Sequence, residues 1–340
     1  MAAAIQTENK ALSLGFIGVG WIGRNRMEAL INSGNAEATI IAEPFGQNAD
    51  EAIKSAPKAL ITNSLEEIYN NPELDGVVIA TPSALHAAQS LQALQSGKAV
   101  FCQKPLGRTT KEVKDVVKAS RKANKLLSVD LSYRYTKAFA AIYDTILNGE
   151  IGKVYAINLV FHNAYGPDKE WFYDISRSGG GCVIDLGVHL VDMALCCLGF
   201  PDVTNVNSQL FSKGQMLSPG EEKVEDFAKV SLLTANGAAI NLECSWNVSA
   251  GQDAIIEATF YGTNGGASFK NVNGSFYDFK AEKYYGTKTE TLFSGQDEWG
   301  GRAGVVWAEN ILKGTGYDPI TANEYIKTAE VIDRIYGRRP

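Results

Sequence analysis

The sequence predicts an α/β protein, with a doubly wound parallel sheet in the first part and a second α/β unit on an open, mostly antiparallel sheet. Three observations carry this. Short continuous apolar runs alternate with helical stretches over the first 130 residues, a glycine-rich turn follows the first run, and after about residue 132 the apolar runs become alternating. Continuous apolar strands are buried on both faces, as in a parallel sheet covered by helices, whereas alternating ones turn one face outward. At 340 residues the chain is too long for one ordinary core, and two domains, 1–132 and 133–340, are expected.

The first run, LSLGFIGVG (12–20), leads into a helix near 22–33. ATIIAE (38–43) is followed by a helical stretch around 47–55, and KALIT (58–62) by SLEEIYN (64–70). DGVVIATP (75–82) precedes a helix from Ala84 to Gln95, KAVFCQKP (98–105) precedes one over 109–123, and KLLSVDL (125–131) closes the series. Six such strands fit a doubly wound sheet. Beyond them, the helix TKAFAAIYDTILNG precedes the alternating strand GKVYAINLVFHNAYG. Further strands are expected in DVTNVNSQLF, VEDFAKVSLLT, AAINLECSWNV, AIIEATFYGTNGGASFK and GSFYDFKAEKYY, then helices over 301–313 and 321–336. Alternation in AAINLECSWNV and AIIEATFYG places apolar or aromatic residues on both sheet faces, while helices cover only one. A homo-dimer or homo-tetramer is therefore expected.

Composition narrows the partners. Hydrophobic residues make up 45% and charged residues 21%, a globular balance, and the formal net charge is −6 without a long basic block, so nucleic acid is not an expected partner. MAAAIQTENKALSLG lacks a basic leader followed by an apolar core, and no apolar run is expected to reach bilayer-spanning length. Neither export nor membrane contact is therefore expected. The five cysteines (Cys102, Cys182, Cys196, Cys197, Cys244) are odd in number, scattered and without a CxxC pair. They argue against a disulfide framework and a zinc site, and the cytoplasm is the expected location.

The turn after the first strand reads Gly18-Val19-Gly20-Trp21-Ile22-Gly23, and Glu43 ends the second strand 20 residues after Gly23. Gly18 would make the tight turn, Gly20 would let backbone approach a pyrophosphate at the helix N-terminus, and Gly23 would let helix and strand pack closely. Glu43 would accept hydrogen bonds from the adenosine ribose. A carboxylate there repels a 2′-phosphate and no arginine follows in EPFGQNAD, so NAD is favoured over NADP.

Two further stretches carry chemistry. In GGGCVIDLGVHLVDMALCCLGFP (179–201), a helix is expected to begin near Cys182, with Asp185, His189, Asp192 and Cys196 along one stripe. The histidine could be a satisfied core residue, the stripe could hold a metal, and the glycine run could be a flexible joint. Against these stands a second unusual residue, Lys104, fixed between the end of a buried strand and Pro105. An aspartate–histidine pair on a buried helix needs a partner or a task.

Together these elements resemble the Gfo/Idh/MocA family, the glucose–fructose oxidoreductase and inositol dehydrogenase group. GFIGVGWIG is similar to its cofactor turn, VVIATPSALH to its fourth-strand motif, CQKPLG to its EKP motif and DLGVHLVD to its DxGxHxxD helix. The resemblance implies a Rossmann domain followed by an α/β domain with an open, mostly antiparallel sheet. It also implies NAD(P)-dependent oxidation or reduction of a sugar, polyol or related carbonyl. Lys104, Asp185 and His189 fall on the family's catalytic positions, and Thr81, Pro82 and His86 on the loop beside the nicotinamide. His189, oriented by Asp185, would take the hydroxyl proton while Lys104 stabilises the charge developing on the same oxygen. Tyr133, Arg134, His162, Trp171 and Arg177 lie in loops or at strand ends flanking the motifs, as candidate substrate contacts or, alternatively, as packing and surface-charge residues. Gln103 stands where the family has glutamate. Strand alternation sends it toward the cofactor and away from Lys104, as an acceptor for a ribose hydroxyl. An NAD-using glycosidase of the same family and a dinucleotide-sensing regulator are the rival readings.

Overall fold

The computed structural model describes residues 11–218 and 220–339. The expectation of no export leader falls mostly on residues 1–10, outside those described. In chain order the first half forms β1 (Leu12–Ile17), α1 (Trp21–Asn32), β2 (Ala36–Ala42), α2 (Gly46–Ser55), β3 (Leu60–Thr62), α3 (Leu65–Tyr69), β4 (Gly76–Ile79), α4 (Ser83–Gln95), β5 (Ala99–Cys102), α5 (Thr110–Ala123) and β6 (Leu127–Val129). All pairings are parallel, in the order β3-β2-β1-β4-β5-β6. Every residue of β4 and β5 is buried, which is why those runs are continuously apolar. The order reverses between β1 and β4, so a crevice opens beyond their C-terminal ends.

The second half forms α6 (Lys137–Leu147), β7 (Val154–Asn163), α7 (Ile175–Ser178), α8 (Val188–Cys197), β8 (Val203–Ser212), β9 (Gln215–Met216), β10 (Phe227–Thr234), β11 (Ala239–Ser245), β12 (Ala254–Gly262), β13 (Gly266–Asn271), β14 (Asp278–Tyr285), β15 (Lys288–Gln296), α9 (Arg302–Leu312) and α10 (Pro319–Ile335). Its nine strands run β15-β14-β13-β12-β7-β11-β10-β8-β9, antiparallel except for β7 against β11. The edge strand β15 was not expected: KTETLFSGQ is largely exposed and lacks the buried alternate face that marks a strand.

α6 packs against β13, β14 and β15, and α8 against β7 and β11, all on one face of this sheet. The opposite face carries exposed Asn158, Lys229, Ser231, Asn241 and Glu257 alongside Tyr155, Leu233 and Tyr261. It is thus more polar than the expected apolar surface, because Asn241 turns outward while Leu242 and Cys244 turn inward. One further expectation is corrected. Ile175–Cys197 is long and apolar enough to cross a membrane, but it is a core segment whose Leu190, Val191, Ala194 and Leu195 are fully buried. Finally, α9 returns to the first sheet, where Trp307 packs on Phe101 with ring centroids 5.8 Å apart.

Candidate active site

The crevice at the end of β1 has the shape of a dinucleotide cradle. Gly18 has φ +83°, and a Cβ there would lie 2.8 Å from the Ala80 carbonyl oxygen. A Cβ on Gly23 would lie 2.1 Å from the Gly18 oxygen, so both positions demand glycine. Gly20 differs: its Cβ would meet only Asn48 Nδ2, at 3.9 Å, so the outer side of the turn is open. No acidic residue occupies the first turn of α1, which leaves its positive pole facing that space. Trp21 is exposed and Ile22 half-buried at the same helix start.

Glu43 is 5% exposed, and its carboxylate accepts from the backbone N–H of Val19 (2.8 Å) and of Phe45 (3.1 Å). It therefore fixes the turn, and its oxygens keep lone pairs for a ribose hydroxyl. These features fit a dinucleotide. On the other side Thr81 donates to Gln89 Oε1 (2.6 Å), and Pro82 caps the start of α4. His86 does not line the cradle as expected. It is buried, with ring nitrogens 2.7 Å from the carbonyl oxygens of Pro105 and Thr81, so it braces two loops from behind.

Lys104, just past β5, reaches into the second domain. Its Nζ donates to Asp185 Oδ1 (2.6 Å) and to the Asp185 carbonyl (2.7 Å), with side-chain exposures of 18% and 14% for the pair. Asp185 lies in a widened π turn, Val183–Gly187, that leads into α8. Its other oxygen accepts from Trp246 Nε1 (3.1 Å), a partner the sequence reading missed. The expected Asp185–His189 contact is absent, because the π turn and the two donors direct the carboxylate to Lys104. His189 Nδ1 is buried without a hydrogen-bond partner among the described residues. Packing holds the ring instead, edge-on to Tyr133 at 4.9 Å. Burial, then the charges of Lys104 and Arg26, push the pKa of His189 well below the usual histidine value, so the ring is neutral.

The start of this helix is itself anchored. Glu225 is buried and accepts from the N–H of Gly181 (2.9 Å), the N–H of Val183 (2.9 Å) and the Tyr336 hydroxyl (2.7 Å). A Cβ on Gly181 would sit 1.8 Å from the Glu225 carbonyl oxygen, so this glycine serves a close approach as well as a joint. Asp192 is likewise taken by a cation: Arg134 donates to both its oxygens (2.6 and 2.5 Å) and to Glu324 (2.6 Å). With both aspartates so engaged the stripe offers no free carboxylate pair to a metal, and Arg134 is not free for substrate.

The remaining expected contacts separate by strand parity and exposure. Tyr133 is buried against Phe161, His189 and Trp299 and belongs to the site wall. His162, one residue after Phe161 on β7, points to the other face of the sheet, where it bonds Ser245 Oγ (2.8 Å) and stacks on Phe227. Trp171 stacks on Phe172, which meets Trp246 edge-on, so this loop flanks Asp185. Arg177 is exposed on the short helix α7. Gln103, expected to turn toward the cofactor and away from Lys104, bonds to Lys104 instead. β5 ends at Cys102, alternation stops there, and the amide is bound to Asp130 and to the Lys104 backbone.

Fold and site together define a dinucleotide-dependent oxidoreductase. Residues 12–131 match the oxidoreductase family with an NAD-binding Rossmann fold, and residues 139–268 match the GFO/IDH/MocA C-terminal domain. The chain belongs to the Gfo/Idh/MocA family. It is 28% identical over 257 residues to D-glucoside 3-dehydrogenase of Escherichia coli (strain K12), covering 72% of this chain and 70% of that one. It is 29% identical over 259 residues to inositol 2-dehydrogenase of Rhizobium meliloti (strain 1021), covering 76% and 75%. The fold is shared with levoglucosan dehydrogenase in complex with NADH, with a TM-score of 0.81, 23% identity and 96% of both chains covered. The protein is an NAD-binding enzyme that transfers hydride between a nicotinamide cofactor and a sugar or polyol.

Proposed function

We propose that Lys104, Asp185 and His189 carry the reaction on a cyclic, uncharged sugar or polyol, with NAD preferred over NADP. The observation that carries this is the Lys104–Asp185 pair at 2.6 Å together with the buried His189, whose Nδ1 has no hydrogen-bond partner among the described residues. The bound nicotinamide supplies the hydride acceptor or donor. In oxidation the neutral imidazole of His189 takes the proton of the substrate hydroxyl, and Lys104, held in place by Asp185 and Trp246, stabilises the negative charge on that oxygen. In reduction His189 returns the proton. Tyr133, Trp171, Phe172, Trp246 and Trp299 form apolar walls suited to the face of a sugar ring and keep water from the reacting groups. Lys104 and Arg134, beside this wall, are already paired with carboxylates, which leaves neither free for a phosphorylated substrate.

Glu43 supports NAD, since a buried carboxylate beside the ribose site repels a 2′-phosphate. We divide the chain at residue 132 into a cofactor domain (1–132) and a substrate domain (133–340), place it in the cytoplasm on the strength of its free cysteines, and read the uncovered sheet face as the contact of a homo-oligomer. Light scattering that returned a monomer would remove this last reading. The function itself is tested by mixing the protein with NAD or NADP and a panel of cyclic sugars, inositols and their phosphates. Reduction of NAD by a neutral cyclic member is the expected result. NAD retained through purification, with glycoside cleavage and no net reduction, would move the protein to the glycosidase reading.

A further inference from the structure

Gln103, Asp130 and Arg26 meet beneath the catalytic lysine. Asp130, at the end of β6, is 0% exposed, and Arg26, on the cofactor helix α1, is 5% exposed. A single oxygen of Asp130, Oδ2, accepts from Arg26 Nε (2.6 Å) and from Gln103 Nε2 (2.7 Å). The other end of the same amide, Gln103 Oε1, accepts from the backbone N–H of Lys104 (3.0 Å). Arg26 also donates to Asn25 Oδ1 (2.7 Å), while Asp130 Oδ1 is buried with no partner among the described residues. A continuous polar chain thus runs from α1 through Asp130 and Gln103 to the main chain that aims Lys104.

We propose that Gln103 is a positioning residue: it must be neutral, because it links the buried Arg26–Asp130 pair to the backbone of Lys104, and this link, not a ribose contact, is the task of position 103. The argument is one of donors and acceptors. Only a carboxamide of this length donates at one end to a carboxylate and accepts at the other from an amide N–H. A glutamate of the same shape accepts at both ends. It would set two carboxylate oxygens where a 2.7 Å hydrogen bond now stands, and ionising both at that distance is strongly unfavourable. Arg26 supplies one positive charge to the cluster and Asp130 one negative, so a second carboxylate leaves it with an uncompensated buried charge. That same Arg26 charge helps keep the imidazole of His189 neutral, so the balance of the cluster is felt at the reacting groups.

The inference rests on Lys104 being catalytic, but half of its test does not. The variants are Gln103→Glu and, as a neutral control that removes both hydrogen bonds, Gln103→Met. Each is followed by thermal unfolding, NAD titration through tryptophan fluorescence, and kcat against pH. At neutral pH Gln103→Glu should melt below the parent and lose about tenfold in kcat, the scale for one hydrogen bond that holds a reacting group in place. NAD affinity should stay within about threefold, since no bond to the cofactor is removed. As pH falls, both deficits should shrink, because the introduced carboxyl, once protonated, regains the donor and becomes the isostere of glutamine. A mere packing defect would not respond to protons. Gln103→Met should lose kcat to a similar degree at every pH. Tighter NAD binding by Gln103→Glu, with parental melting and turnover throughout, would overturn the proposal and return residue 103 to the ribose. Normal kcat in both variants would overturn the positioning role of Gln103 even with the pH-dependent melting intact, whereas the role of Lys104 itself stands or falls with Lys104→Met. If Gln103→Glu does not fold, parental kcat in Gln103→Met overturns the inference by itself.

Discussion

Replacing Lys104 with methionine keeps the length of the side chain and removes its charge. In the structure this deletes two hydrogen bonds, to Asp185 Oδ1 and to the Asp185 carbonyl, and leaves that carboxylate with Trp246 Nε1 alone. Asp185 is 14% exposed, so water partly compensates it, and the stability cost should be about 1–2 kcal/mol, below the 3–5 kcal/mol of a fully buried broken pair. The rate effect should be larger. Losing one electrostatic group at the reacting oxygen lowers turnover by roughly 10²–10⁴-fold, about 3–5 kcal/mol in the barrier. The residual activity carries a further signature. The charge of Lys104 is second only to burial among the causes that depress the His189 pKa, so the variant's His189 titrates higher than the parent's. A base works deprotonated, and the acid limb of the rate profile should therefore move to higher pH. First-turnover rates of nicotinamide absorbance against pH, with unfolding in urea alongside, measure all three effects. Parental turnover, or an acid limb displaced to lower pH, would show that Lys104 does not act on the reacting oxygen beside His189.

Gly20→Ala should melt like the parent, because its Cβ meets only Asn48 Nδ2 at 3.9 Å, yet bind NAD at least tenfold more weakly if the open side of the turn receives the pyrophosphate. Gly23→Ala, whose Cβ would press to 2.1 Å from the Gly18 oxygen, should lose both stability and binding; calorimetry with cofactor titration separates the two. All three histidines, His86, His162 and His189, have pKa values lowered first of all by burial. The unfolded chain then binds more protons than the native one, so stability should be full above the ordinary value of 6.5 and fall as pH drops below it. Urea midpoints that rise on acidification through that range would contradict the burial of these rings.

Much of the architecture was legible because burial leaves a period in the sequence. The all-buried residues of β4 and β5 read as unbroken apolar runs, and Gly18, Gly20, Gly23 and Glu43 stand at a spacing that only a strand–turn–helix gives meaning to. Lys104, Asp185 and His189 were legible as residue types in unusual places. Their partners were not. Trp246 reaches Asp185 from a position 61 residues later, brought there by the register of β11 on β7, which no local pattern encodes. Asp130 and Glu225 look like ordinary carboxylates at strand ends, and only the folded chain shows each wholly enclosed. The parity of His162 could have been read: Phe161 beside it belongs to the apolar set Ile157, Leu159, Phe161, which assigns the neighbour to the opposite face. Gln103 could not, because alternation ends with β5, one residue before it.

The return of α9 to the first sheet bears on how the chain is made. Trp307, with Ala303 and Ala308, closes the hydrophobic cluster of Phe101, Val78 and Leu14, and a Cβ on Gly76 would touch the indole at 2.8 Å. On a ribosome that emits the N-terminus first, the last strand of this sheet emerges more than 170 residues ahead of the tryptophan that seals it. Throughout that interval the nascent cofactor domain carries an unroofed apolar patch, and synthesis of the whole second sheet must be completed before the patch is shielded. Proteolysis of chains arrested just before Arg302 should therefore cut within the first sheet, and arrest after Leu312 has cleared the exit tunnel should protect it.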